Sequence, residues 1–214
     1  MLSRIILGTA NFKKLYNGVK VKQVDEILDY CKSIGVWAID TATAYETHHL
    51  EYPKRIVKVG ADDVLFGDSP LCVMAHGVGA YERAISLAKE KKCPLGASVY
   101  PDEFDQLQGY AVRPVAIQLP YSVFDRRVEG YLPSIKQAGI QVQARSVFLR
   151  GKVLEKTTPF EALMFVLSNQ YIDKVVVGTE SLQMLQDTLE PLRELRDMKI
   201  DEEEVIDPRK WREV

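Results

Sequence analysis

Eight short apolar runs recur along the chain, most of them followed by a stretch of helical spacing. This alternation limits the fold more than any other feature. The runs cover residues 4–10, which pass into a loop, then 37–41, 55–59, 70–76, 94–100, 115–119, 141–146 and 174–178. Strands that alternate with helices imply parallel strands joined by crossovers. Eight such units favour a closed (β/α)8 barrel of the TIM type over an open doubly wound sheet. The first helix is predicted over 21–34, where Val21, Val24, Ile27, Leu28, Cys31 and Ile34 share one face and Gly35 follows as a stop. Others are predicted over 81–92, over 101–107 with Pro101 in its first turn, over 127–138 closed by Gly139, and over 160–170. Ser181 can cap a last helix whose Leu182, Leu185, Leu189 and Leu192 form an inner stripe. No repeat, low-complexity segment or linker divides the chain, so residues 1–214 form one domain.

For such a barrel, 214 residues is small, and the shortage is local. Nine residues separate Tyr45 from Arg55, and eleven separate Val59 from Leu71. Crossovers usually need about 10–12 residues or more, helix included. The outer helices after the second and third strands are therefore expected to be short or missing. Their loss would expose strand faces that a partner subunit could cover, giving a homo-oligomer.

Composition excludes several functions. Net charge is −2 with no dense basic cluster, so the electrostatic footprint of nucleic-acid binding is lacking. Cys31, Cys72 and Cys93 lie far apart without C-x-x-C spacing, as expected for reduced, buried thiols in a cytoplasmic protein. The first apolar run is too short for a signal peptide, and no run of about 18 apolar residues suggests a membrane span. His48 and His49 are adjacent, so they do not point together in a regular element; both read as surface residues, and no metal site is expected. The tail from Arg196 carries a solvated charge run at 201–204 and one large apolar residue, Trp211.

Polar residues collect at the C-terminal ends of the strands: Thr9, Asp40, Lys58, His76, Ser98, Gln118, Arg145 with Ser146, and Gly178 with Thr179. In a barrel these ends share one rim, where active sites are built. The chemistry on offer is specific. Tyr45, five residues beyond Asp40, can donate a proton to a developing alkoxide if its acidity is raised. A nearby cation such as Lys58 favours the phenolate. Asp40 can hold that lysine charged and in place, and His76 can orient a carbonyl. The set suits carbonyl reduction but brings no hydride, which a nicotinamide cofactor would supply.

With these residues in view, the sequence resembles the aldo-keto reductases over most of its length. The matching stretches are Leu7-Gly-Thr9, Ile39-Asp-Thr-Ala-x-x-Tyr45, Met74-Ala-His76, Gly96-Ala-Ser-Val-Tyr100, Ile117-Gln118, Ala144-Arg-Ser-Val-Phe-Leu-Arg-Gly151 and Val177-Gly-Thr-Glu-Ser181. The Ser-Val-Tyr and Ala-Arg-Ser-Val-Phe-Leu forms are similar to bacterial members found with surface-polysaccharide genes. The resemblance implies an NADPH- or NADH-dependent oxidoreductase acting on a small aldehyde or ketone, with sugar-like aldehydes as one substrate class. It implies Tyr45 as general acid, Lys58 as modulator of its acidity, Asp40 as the lysine's partner and His76 as substrate orienter. It also implies that Gly8, Thr9, Ser98, Gln118, Arg145, Ser146, Val147, Gly178 and Thr179 hold the cofactor. Ser98 and Gln118 would grip the nicotinamide amide, and Arg145 stands where many relatives stack a tyrosine.

The sequence departs from the family pattern at several points. The short 46–69 segment leaves Lys58 and Lys54 as candidates for the catalytic lysine. Val99 replaces a common Asn. Met184 stands where many NADPH-specific relatives place an Arg, which implies weak NADPH preference or use of NADH. Two other functions compete: a barrel that has lost turnover and binds a nucleotide or protein, and a lyase using Lys58 as a Schiff base.

Overall fold

The computed structural model describes residues 1–12, 23–45, 47 and 49–197, excepting the side chains of 195–197. Val21, His48, the 201–204 charge run and Trp211 lie outside the described residues. The strands are β1 (Ile5–Gly8), β2 (Ala38–Ala42), β3 (Lys54–Val59), β4 (Cys72–His76), β5 (Leu95–Ser98), β6 (Ala116–Pro120), β7 (Gln141–Arg145) and β8 (Lys174–Gly178). They pair in parallel, each with the next, and β1 pairs with β8 to close the barrel. The eight expected strands are all present.

Six α-helices are described: α1 (Val24–Ser33), α2 (Tyr81–Lys91), α3 (Pro101–Leu107), α4 (Leu132–Gln137), α5 (Pro159–Ser168) and α6 (Leu182–Asp197). Gly35 and Gly139 take positive φ values of 84° and 74° just past α1 and α4, the conformation that suits glycine as a helix stop. The fourth helix is shorter than the 127–138 pattern suggests, because residues 127–131 form turns. Thr158 caps α5, and its capping box with Glu161 starts the helix one residue early. Ser181 accepts a 3.1 Å bond from the Met184 N–H, as its cap role requires.

Both expected helix losses occur. Among the described residues, a 3-10 turn over Thr43–Tyr45 is the only helical element between β2 and β3, and none lies between β3 and β4. The expected exposure does not follow. Ile39, Val57 and Val59 on the outward faces are at most 3% exposed. Tyr52 and Leu65, from the segments that replace the helices, join the same core. The Tyr52 hydroxyl donates to the Val36 carbonyl, which anchors the covering segment. Four large apolar residues predicted inside strands lie just outside them and are exposed: Trp37 before β2, Leu71 before β4, Tyr100 after β5 and Val115 before β6.

Strand periodicity explains the interior. Ile6, Ile56, Cys72, Met74, Ala116 and Val176 form a separate apolar cluster inside the barrel, with Ala38 packed against it. Side chains two residues apart share a strand face. Moving up two from Ala38, Ile56, Met74, Ala116 and Val176 therefore gives Asp40, Lys58, His76, Gln118 and Gly178. Gly96 leaves the plug room. A Cβ there would lie 2.7 Å from Met74 Cε and 3.2 Å from the Ala116 carbonyl. Two residues above it stands Ser98. An apolar floor thus carries a polar layer facing the C-terminal mouth.

Candidate active site

The register between β2 and β3 pairs Asp40 with Ile56 and Ala42 with Lys58. Asp40 and Lys58 thus lie on the same inner face of adjacent parallel strands, two residues apart in height. The Lys58 ammonium donates to one Asp40 oxygen, with the two side chains only 3% and 2% exposed. Lys54 sits at the exposed start of β3, whereas Lys58 lies buried beside Asp40.

Tyr45 ends the 3-10 turn that follows β2, and it is buried. Its hydroxyl is hydrogen-bonded to Lys58, whose ammonium lies 5.1 Å from the centre of the ring. Burial alone would lower the Lys58 pKa. The Asp40 carboxylate and Tyr45 outweigh it, so the pKa is raised and the lysine stays charged. His76 closes the line: its ring meets the Tyr45 ring edge-on at 5.7 Å. Desolvation, reinforced by the Lys58 cation, lowers the His76 pKa, so its imidazole is neutral at neutral pH. The four residues Asp40, Lys58, Tyr45 and His76 are brought together.

Gln118 connects this line to β5 and β7. Its amide donates to the second Asp40 oxygen at 2.8 Å and to Gln143 Oε1 at 3.3 Å. Its carbonyl oxygen accepts from Lys58 at 3.3 Å and from Ser98 at 3.1 Å. Gln118 is fully buried, and its bonds turn the amide toward the carboxylate–lysine pair. Ser98 in turn accepts a 3.2 Å bond from Arg145 Nε.

The other candidate residues follow the adjacent strands β7, β8 and β1. Ser146 is exposed beside Arg145, while Val147 is buried. Ser146, Leu149 and Arg150 all have φ between 45° and 59°, a left-handed conformation that costs non-glycine residues energy. On the neighbouring strands β8 and β1, Gly8 pairs with Gly178, and neither carries a side chain. Thr9 and Thr179 are buried, and their hydroxyls are spent internally. Thr9 donates to the Asp40 carbonyl at 3.0 Å, and Thr179 donates to the Ser181 carbonyl at 2.7 Å.

Three contributors were not singled out in the sequence. Thr47 is bonded at 2.8 Å to both Thr9 and Thr41, which pins the chain just after Tyr45. Asp63 accepts from the Thr43 hydroxyl and fixes the loop beside the Tyr45 turn. Gln143 could have been found from the alternation of Gln141, Gln143 and Arg145 with Val142 and Ala144, a period-two signal of an inward polar face. Thr47 and Asp63 lie in irregular segments where no such period exists.

Searches against family models and curated proteins find no match. Solved structures do match. An aldo-keto reductase of Bacillus halodurans, AKR11C1 in its holo form, superposes with a TM-score of 0.67 at 17% identity, covering 88% of this chain and 86% of that one. The fold is that of the aldo-keto reductases. Two structures of Pseudomonas aeruginosa proteins assigned as aldo-keto reductases agree. Their TM-scores are 0.66 and 0.64 at 16% and 15% identity, covering 90% of this chain and 91% and 90% of theirs. At such identities, what the aldo-keto reductase fold carries here is architecture.

Replacing Asp40 by Asn should destabilise the protein by about 3–5 kcal/mol, because Lys58 is left buried without its counter-charge. Urea denaturation checks this, and an unchanged midpoint would show that the pair does not bear on stability. For His76, the folded pKa lies below the unfolded value of about 6.5. As pH falls through that value the unfolded chain takes up the proton first, so stability declines; well above it the group contributes nothing. An NMR titration of the His76 ring should give a midpoint below about 6.5, and a midpoint at or above it would contradict the assignment.

Proposed function

We propose that the protein is an NAD(P)H-dependent oxidoreductase that reduces an aldehyde or ketone to an alcohol, with Tyr45 as the general acid. The observation that carries this reading is the hydrogen-bonded line Asp40–Lys58–Tyr45 at the C-terminal mouth of the barrel, with His76 at its end. A charged lysine bonded to the phenol favours the phenolate and so eases proton donation from Tyr45. Asp40 keeps Lys58 charged, and Gln118 and Ser98 keep Asp40 and Lys58 in register. A neutral His76 has an N–H to place on the substrate oxygen.

The mouth fits a dinucleotide on two counts. The strained 146–151 loop is the kind of backbone found at ligand clamps. On the adjacent strands, the Gly8–Gly178 pair lets backbone rather than side chain face the mouth beside that loop. Ser98, Arg145, Ser146 and Val147 would border the nicotinamide end, with the backbone of Gly8, Thr9, Gly178 and Thr179 on the adjoining strands β1 and β8. The bound cofactor would supply the hydride. Gln118 has its amide engaged by Asp40 and Gln143, so its part in this reading is to hold the carboxylate.

A barrel without turnover was motivated by the short 46–69 segment; the burial of Lys58 between Asp40 and Tyr45 favours the reductase reading over it. A Schiff-base lyase needs a neutral, accessible amine, whereas Lys58 is 3% exposed and held charged.

Replacing Tyr45 by Phe should lower kcat/KM for aldehyde reduction by about 10²–10⁴-fold, with the cofactor dissociation constant little changed. Wild-type turnover in that variant would remove Tyr45 as the acid. Met184 packs against the core and brings no charge to a 2′-phosphate. Calorimetric titrations should therefore give dissociation constants for NADPH and NADH within about tenfold of each other, since a charge-assisted bond is worth about 1.5–3 kcal/mol. A larger NADPH preference would locate a phosphate-binding cation elsewhere.

A further inference from the structure

We infer that Arg145 selects substrates that carry a carboxylate close to the carbonyl being reduced. This rests on the reductase reading above and narrows it to oxo acids. The argument begins with how Arg145 is held. Its Nε donates to Ser98 Oγ at 3.2 Å, one terminal nitrogen to Ser146 Oγ at 3.2 Å, and the other to the Val99 carbonyl at 3.4 Å. Its guanidinium lies 4.5 Å from the centre of the Tyr100 ring. These contacts fix the group, yet all are with neutral partners. A guanidinium has five N–H donors, so two remain.

No carboxylate among the described residues pairs with Arg145. Three described acids around the mouth are bound elsewhere. Asp40 is bound by Lys58 and Gln118, and Asp63 by Thr43 and the Gly60 N–H. Asp125 feels the Arg145 charge but is bonded to Arg127 at 2.9 and 2.7 Å. Lys58 is matched by Asp40, which leaves Arg145, among the described residues, as an unmatched cation of the inner rim. Its charge also reaches His76, where it acts with Lys58 against protonation. Arg145 therefore stands within electrostatic reach of the group that meets Tyr45 edge-on.

A half-buried cation without a counter-ion is left under-solvated, and a rigidly held one gains more from an arriving anion because little freedom is then lost. Two free N–H donors on a planar guanidinium match a carboxylate. The nicotinamide end, which Arg145 borders, is also where the carbonyl must lie, so a carboxylate held there is adjacent to the reacting carbon.

The test compares phenylglyoxylate with its neutral amide, using the full-length protein with saturating NADPH or NADH. Wild type should prefer the acid in kcat/KM. In Arg145→Met the acid should lose at least tenfold more than the amide, mainly through KM, while Arg145→Lys recovers part of the loss. Calorimetry of phenylglyoxylate and of the cofactor is run on each variant, with thermal unfolding as a check on folding. Equal losses on both probes, no acid preference in wild type, or a loss confined to cofactor affinity would each overturn the inference. The last of these would assign the charge to the dinucleotide. Arg145-dependent binding of phenylglyoxylate without turnover of either probe would support the anion site and retire the reductase reading. Turnover of both probes without acid preference would do the reverse.

Discussion

The site depends on one buried ion pair. Lys58 and Asp40 are taken out of water on the inner face of adjacent strands, and neither would be tolerated there alone. What makes the pair sustainable is the completeness of its surroundings. Gln118 takes the second Asp40 oxygen, Tyr45 takes another lysine bond, and no buried side-chain polar atom among the described residues lacks a partner. The same interaction fixes register. A slip of one residue in β3 would turn Lys58 outward and bring Val57 or Val59 to face the carboxylate. The short connection between β2 and β3 therefore has to deliver Lys58 to one height, and Tyr52 and the threonine cluster around Thr47 anchor it.

Much of this was legible in the sequence because strands alternate with period two. The eight strands, the polar strand ends and the Asp40–Tyr45 spacing all follow from local pattern, and local pattern survives in the fold. Gln118 marks where such reading stops. Its place at a strand end was plain, but the direction of its amide depends on Asp40 and Gln143, which lie on other strands. Thr9 and Thr179 are similar: they sit at the rim as expected, with hydroxyls satisfied by partners the sequence does not place. The covering role of Tyr52 and Leu65 was also hidden, since neither belongs to a periodic segment. The exposure expected from the missing helices was an inference from length alone, and two large side chains in irregular backbone sufficed to prevent it.

Charge is distributed unevenly around the mouth. The β2–β3 side holds a cation and an anion that cancel. The β7 side holds a guanidinium with neutral neighbours, followed by a loop of left-handed residues. One side is thus charge-balanced, and the other keeps a guanidinium among neutral partners. Gln118 and Ser98 join them through an unbroken chain of hydrogen bonds from Lys58 to Arg145. The two halves are therefore held in fixed relation by the interior of the barrel, independent of the loops above.

The wall beside the ion pair is one layer thinner than elsewhere. Where other strands lean on helices with their own ladders of backbone bonds, β2 and β3 lean on a ring and an aliphatic side chain carried by loops. Loops of this kind open at lower free energy than packed helices. Slow breathing of the barrel would then begin at the strands that carry Asp40 and Lys58, and solvent would reach the ion pair from the side before it reached the floor. Hydrogen exchange of the β2 and β3 amides thereby becomes a direct gauge of how firmly the Asp40–Lys58 pair is held.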